Sequence, residues 1–249
     1  MTTGLPFPAN LLQQLRAARH LAALTGSGIS AESGVPTFRD AQTGLWARYD
    51  PAELASPQAF ERDPKLVWEW YAWRRALVAN AQPNPGHYAL VTLAQRAPRF
   101  TLITQNVDNL HQAAGSAAVI ELHGSLQRST CSREGTLVEE WVDTGEVPPR
   151  CPACGASLRP EVGGFGESLP AQAHFAAAAA ARDCDVFFAI GTSALVHPAA
   201  ALPLEALDRG ATLIEINLAE TPLTRAATYA LRGAAGRLLP ALVAAAWPD

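Results

Sequence analysis

The chain has 249 residues, 49% of them hydrophobic and 17% charged, with a formal net charge of −4. So few charges, below the roughly 25% of an average soluble domain, predict a substantial buried core, in one elaborated domain or a large domain with a small companion. The acidic balance argues against a general nucleic-acid or anionic-membrane binder, which would present a basic surface.

The N-terminus shows no basic-then-apolar targeting pattern, and no apolar run is long enough to span a bilayer. Four cysteines, two of them in one C-x-x-C, do not make the dense framework of a small secreted domain. A cytoplasmic protein with no membrane partner is expected.

Helical and strand patterns alternate, which predicts an α/β fold around a parallel sheet. Leu11, Leu12 and Leu15 give a first helix an apolar face, and the strand "LAALT" (21–25) follows. Later strands are expected at "RFTLIT" (99–104), "AVIEL" (118–122), "DVFFAI" (185–190) and "ATLIEIN" (211–217), with helices near 86–97, 171–182, 198–209 and 235–246. The near-continuous apolar character of "DVFFAI" is that of a parallel strand covered on both faces. Residues 41–82, helical and rich in Trp and Pro, and residues 125–163, with Cys, Pro and Gly, break the alternation. Both read as insertions forming a small second domain, so that 1–40, 83–124 and 164–249 make the main one. A cleft between the two is a natural place for a ligand.

Strand ends carry the polar motifs. After the first strand, "TGSGISAESGVPTFR" (25–39) fits G-x-G-x-x-A at Gly26, Gly28 and Ala31, a pattern that lets backbone N–H groups approach a pyrophosphate. A ligand-free tight turn uses the same glycines equally well, and no acidic strand end follows at the distance that holds a ribose in ordinary dehydrogenases. "TQNVDNLH" (104–111) brings an amide pair, Gln105 and Asn106, and a carboxylate, Asp108, to another strand end, where Asn106 or Asp108 also serves as a helix cap. "ELHGS" (121–125) places His123 beyond a third strand, a position where a lone histidine is often structural. "GTS" (191–193) and "IN" (216–217) end two more. In one parallel sheet these five ends line one rim.

Together, "GSGISAESGVPTFR", "TQNVDNLH", "HG", "RPEVGGFGE" (159–167), "GTS" and "IN" resemble the ordered signature of the sirtuins, NAD-dependent protein-lysine deacylases. The resemblance runs from about residue 20 to 240. It implies a Rossmann-like NAD-binding domain, a smaller inserted helical and zinc-ribbon domain, and acyl-lysine proteins or peptides as substrates, with no specific nucleic-acid partner. Carried over residue by residue, it puts Gly26, Ser27, Gly28, Glu32, Phe38, Arg39 and Trp46 in the NAD loop. Gln105, Asn106, Val107 and Asp108 would hold the nicotinamide and its ribose, and Gly191, Thr192, Ser193, Asn217, Leu218 and Ala235 the adenosine side. His123 would be the general base, assisted by Asn106 and Asp108, and Gly163, Phe165 and Gly166 would meet the substrate. A histidine suits that role because it titrates near the working pH.

The chain departs from the family pattern in two places. Gly163 and Gly164 stand where the family has a Val and an aromatic, which implies a wider acyl tunnel. Of the two C-x-x-C pairs of the structural zinc site, the second is intact at Cys151 and Cys154, whereas the first reads "CSRE". Cys131, Cys151, Cys154 and Glu134 supply four ligands if the carboxylate joins; a weakened or lost site is the alternative. Cys184 is expected in the core.

The segment "WEWYAWRRALV" (69–79) belongs to a helix predicted over about 64–79, with Asp63 as N-cap and Pro64 at its first position. At about 100° per residue, Leu66, Trp70, Trp73 and Leu77 form one stripe and Val67, Tyr71, Arg74 and Val78 a second. Arg75 falls opposite, beside Trp68, and is expected in solvent. A guanidinium at Arg74 needs an anion. On the physics of the residues alone that anion is an Asp or Glu elsewhere in the chain. The Y-x-x-R pair Tyr71 and Arg74, however, is similar to that of the class III sirtuins, which implies recognition of a succinyl or malonyl carboxylate. A hydride-transferring dehydrogenase, a sirtuin acting mainly on acetyl groups and a non-catalytic binding module are the rival readings.

Overall fold

The computed structural model describes residues 7–37 and 49–248. A six-stranded sheet has the order β3-β2-β1-β7-β8-β9, formed by β1 (His20–Thr25), β2 (Arg99–Thr104), β3 (Val119–Glu121), β7 (Val186–Ile190), β8 (Thr212–Asn217) and β9 (Tyr229–Arg232). Every neighbouring pair is parallel. The strand order reverses between β1 and β7, the topological switch point at which open α/β sheets bind ligands.

Both faces are covered, and the strands sort their side chains with a period of two. Leu21 and Ala23 of β1 and Phe188 of β7 join one core with α1 (Ala9–Ala17), α5 (Pro85–Arg96) and α9 (Ala235–Ala246). Ala22, Leu24 and Phe187 join the other with α7 (Ala171–Asp183) and α8 (Leu202–Asp208). This double covering is why β7 is apolar throughout. The alanine run of α7 packs, with Ala177, Ala178, Ala180 and Ala181 buried, and Cys184 lies in the same core. Strand β9 is short and only partly buried, and no clear apolar pattern announces it. In β8 the buried Glu215 is satisfied by Arg232, Thr221 and Thr224.

The second unit combines α2 (Pro51–Leu54), α3 (Pro57–Arg62) and α4 (Pro64–Ala79) with an antiparallel sheet of order β5-β4-β6, made by β4 (Gly124–Cys131), β5 (Leu137–Val138) and β6 (Leu158–Val162). Helix α4 has the predicted bounds, and the Asp63 carboxylate accepts from Leu66 N–H at 2.9 Å. Its buried face holds Val67, Trp70, Tyr71 and Val78, packed with Leu126 of β4. Leu77, expected in the first apolar stripe, is instead 40% exposed, because the helix covers the ribbon along one broad face that excludes it. Trp68 packs against Cys131, Cys151 and Leu158. No helix among the described residues is long and apolar enough to cross a membrane.

Candidate active site

Carboxyl ends of the parallel strands bring the predicted motifs to one rim. The loop after β1 and the loop after β7 interlock: Gly26 N–H donates to Ile190 O and Gly28 N–H to Gly191 O, both at 2.9 Å. A Cβ on Gly28 would lie 2.7 Å from Gly191 Cα, and one on Gly191 only 2.5 Å from Ile29 N. Gly191 also has φ +58°, a left-handed backbone that disfavours any side chain. The glycines therefore make the tight turn, and the close approach of the two loops leaves no room for side chains at the switch point. Beside them, Gln105 Nε2 donates to Thr192 Oγ1 and Asn217 Nδ2 to Thr192 O, each at 2.8 Å. Ser193 follows Thr192, and Leu218 stands exposed beyond Asn217. Glu32 accepts from Gly236 N–H at 2.7 Å, which ties the first loop to the start of α9 next to Ala235. Phe38, Arg39 and Trp46 lie outside the described residues.

Behind this rim is a buried polar network that centres on Ser30, a residue the sequence reading passed over. Asn106 Nδ2 donates to Ser30 Oγ at 3.1 Å, and Ser30 Oγ donates to Asp108 Oδ2 at 2.7 Å. Asp108 Oδ1 accepts from Leu110 N–H at 3.0 Å, although the N-cap of the short helix that follows is Asn109 rather than the expected Asn106 or Asp108. Ser30 sits inside the 25–39 loop, and nothing in the glycine pattern marks its buried hydroxyl as a link to Asn106 and Asp108. Deeper still, Thr25 Oγ1 bonds Thr104 Oγ1 and His111 Nε2, both at 2.8 Å. Burial, and then the neighbouring His87, push His111 down to about 3, so it is neutral.

His123 emerges just beyond β3, and its carbonyl accepts from Gly163 N–H at 3.1 Å. Burial lowers its pKa, which keeps the imidazole in its basic form. Gly163 is exposed, and a Cβ there would meet only His123 Cα, at 4.0 Å. The wider tunnel expected from both glycines is corrected at Gly164. A Cβ on Gly164 would lie 2.8 Å from Ala55 O, and Phe165 N–H donates to that oxygen at 2.6 Å. Main chain of residues 55 and 56 thus fills the space of the missing side chain. Phe165 and Gly166 are exposed beside it.

On α4, Tyr71 and Arg74 share the inward face. Arg74 lies over the Trp70 ring at 5.1 Å. Burial lowers its pKa, while the neighbouring Tyr71 hydroxyl and the Asp108 carboxylate oppose the shift, so the guanidinium lies within electrostatic reach of the buried network. Burial raises the Tyr71 hydroxyl to about 12. The structure corrects the expectation for Arg75. Its guanidinium stacks on Trp68 at 4.8 Å and donates to Leu126 O at 3.5 Å, because Trp68 is buried against the ribbon and draws the arginine over it.

The Sγ atoms of Cys131, Cys151 and Cys154 lie within 4.8 Å of one another. Such a thiol set suits a thiophilic divalent cation such as zinc. The expected fourth ligand is a correction: Glu134 is exposed, and among the described residues its carboxylate does not join the group. Its backbone N–H instead donates to Cys131 Sγ.

Residues 26–198 match the Sir2 family along more than half of the chain. The chain belongs to the Sir2 family. A relative from Methylococcus capsulatus, named NAD-dependent protein deacylase, is 54% identical over 96% of this chain and 97% of its own length. A crystal structure of a Sir2 homolog–NAD complex superposes with a TM-score of 0.90 at 48% identity, covering 99% of this chain and 96% of that one. A Sir2 structure with a p53 peptide and NAD+ gives 0.83 at 30% identity, covering 93% and 95%. The doubly wound sheet, the interlocked glycine loops and the cysteine ribbon are thus the sirtuin architecture.

Proposed function

We propose that this Sir2-family chain is an NAD-dependent protein-lysine deacylase that favours succinyl and malonyl groups. NAD would supply the electrophilic ribose carbon and the leaving nicotinamide, and one water would complete cleavage of the amide, so that the acyl group ends on ADP-ribose and lysine is freed. The loop of Gly26, Ser27 and Gly28, with Thr192, Ser193 and Asn217, would hold the phosphates and adenosine side. Gln105, Asn106, Val107 and Asp108, braced by Ser30, would orient the nicotinamide end. His123, kept neutral by burial, accepts a proton from a ribose hydroxyl. Gly163 and Phe165 offer main chain to an extended acyl-lysine peptide. Zinc in the cysteine ribbon would serve structure, away from the reacting atoms.

The observation that carries the acyl preference is the placement of Arg74. Its guanidinium shares a face of α4 with the buried Tyr71 hydroxyl, within electrostatic reach of the Asn106–Ser30–Asp108 network. The free carboxylate of a succinyl or malonyl group would meet that cation at the reacting end of the substrate, and acetyl-lysine carries no such group. The test is a panel of acetyl-, malonyl- and succinyl-lysine peptides incubated with NAD and read by mass spectrometry. The proposal expects higher kcat/KM for the dicarboxylic acyl groups. Equal or higher kcat/KM for acetyl would make the protein mainly a deacetylase, and no acyl removal at all would leave a binding module.

A further inference from the structure

Two turns of the ribbon repeat one another. In the first, Cys131 N–H donates to Thr136 O at 2.9 Å and Gly135 N–H to Cys131 O at 2.9 Å. In the second, Cys151 N–H donates to Ala156 O at 2.7 Å and Gly155 N–H to Cys151 O at 2.9 Å. The glycine four residues after each cysteine has nearly the same backbone angle, φ +66° at Gly135 and +71° at Gly155. The two turns are therefore equivalent knuckles, and Glu134 occupies in the first the position that Cys154 occupies in the second.

We propose that this chain holds zinc with three protein ligands, the thiolates of Cys131, Cys151 and Cys154, and leaves the fourth position to an exchangeable small ligand such as water, a small thiol or an anion. The knuckle geometry puts the fourth corner of the tetrahedron where a cysteine Sγ at position 134 would lie, two bonds from the backbone Cα. A glutamate carries its oxygens two carbon atoms further out, past that corner, and Glu134 is exposed accordingly. The three sulfurs are already gathered: Cys131 Sγ and Cys154 Sγ are 3.4 Å apart, close to the ~3.8 Å edge of a tetrahedron with bonds of about 2.3 Å. Backbone N–H groups of Glu134 and Arg133 point at Cys131 Sγ, and that of Ala156 at Cys154 Sγ, the outer-shell support that orients metal-binding thiolates. Cys131 and Cys151 are buried while Cys154 is only partly so, which leaves the group one side open to solvent.

The experiment uses the whole protein, analysed for zinc and then reloaded with Co(II) in place of it. We expect one metal per chain, a thiolate-to-metal absorption band of three-thiolate intensity, and visible ligand-field bands that shift when azide is added. Glu134→Gln should leave the spectrum and zinc retention unchanged. Glu134→Cys should raise the charge-transfer band by about one third, abolish the azide shift, and slow zinc loss to a chelator by about 10–100-fold. A changed spectrum or weakened retention in Glu134→Gln would make the carboxylate a ligand and overturn the proposal. So would an azide-insensitive wild-type spectrum, or a wild-type protein that binds no metal. None of these readouts depends on turnover, so their failure is distinct from failure of the deacylase reading.

Discussion

Replacing Arg74 by Met removes the charge while keeping most of the aliphatic stem that packs on Trp70. Burial already lowers the pKa of this guanidinium, so it is poorly solvated and a substrate carboxylate meets it with little competition from water. Removing one partner of such a desolvated, charge-assisted contact costs roughly 2–5 kcal/mol, or about 30- to several thousand-fold in kcat/KM on succinyl-lysine. Tyr71→Phe deletes one hydroxyl bond to a charged group and should cost less, about 1.5–3 kcal/mol. Acetyl-lysine deacylation should change little in either variant. Arg75 is not a silent control, because it stacks on Trp68 and reaches Leu126 O. Lys65→Met serves instead: its side chain is exposed and, among the described residues, makes only a surface pair with Glu69 at 3.9 Å, worth a few tenths of a kcal/mol. The assay is steady-state kinetics on matched succinyl and acetyl peptides. Equal losses on both would refute the reasoning and make Arg74 a structural ion-pair partner.

His123→Ala should lose ~10²-fold or more in turnover while still binding NAD, measured by single-turnover kinetics and calorimetry; near-wild-type deacylation would remove His123 from the chemistry. Because burial lowers its pKa, the acid limb of kcat/KM assigned to His123 should lie below the ordinary histidine value of 6.5, and a limb above that value would contradict the assignment. His111, pushed down to about 3, stays neutral in the fold while the unfolded chain binds a proton below pH 6.5. Its stabilising contribution is therefore complete above 6.5 and falls with pH toward 3, by up to about 1.4 kcal/mol per unit; urea unfolding that is equally resistant at pH 7 and pH 5 would count against it. Gly191→Ala should cost at least about 2 kcal/mol, from left-handed backbone strain and the contact with Ile29 N, lowering Tm by about 4–8 °C; an unchanged Tm would mean that the interlocked loops relax freely.

The strands of the main sheet were legible because both its faces are covered, which writes continuous apolar runs such as "VFFAI" into the sequence. The bounds of α4 were legible because Asp63 and Pro64 mark its start chemically. Hidden features depend on tertiary contacts. Strand β9 is a short edge strand with no clear apolar signature, and the ribbon strands contain Pro, Arg and Gly because turns and cysteines hold them more than a core does. Periodicity put Arg75 opposite the apolar stripes correctly, yet it could not show that the ribbon covers that side too and buries Trp68. Residue type made Glu134 a candidate ligand, whereas the repeat of the Cys151 knuckle in the backbone at Cys131 turns its carboxylate away. Ser30 became visible only when residues 78 positions apart met in one hydrogen bond.

The central claim is tested most directly by incubating the purified protein with NAD and a succinyl-lysine peptide and quantifying every product. The account predicts nicotinamide, free-lysine peptide and O-succinyl-ADP-ribose in equal amounts, with no rise in NADH absorbance and no nicotinamide release when the acyl peptide is omitted. NADH formation, or nicotinamide released without matching deacylated peptide, would contradict it.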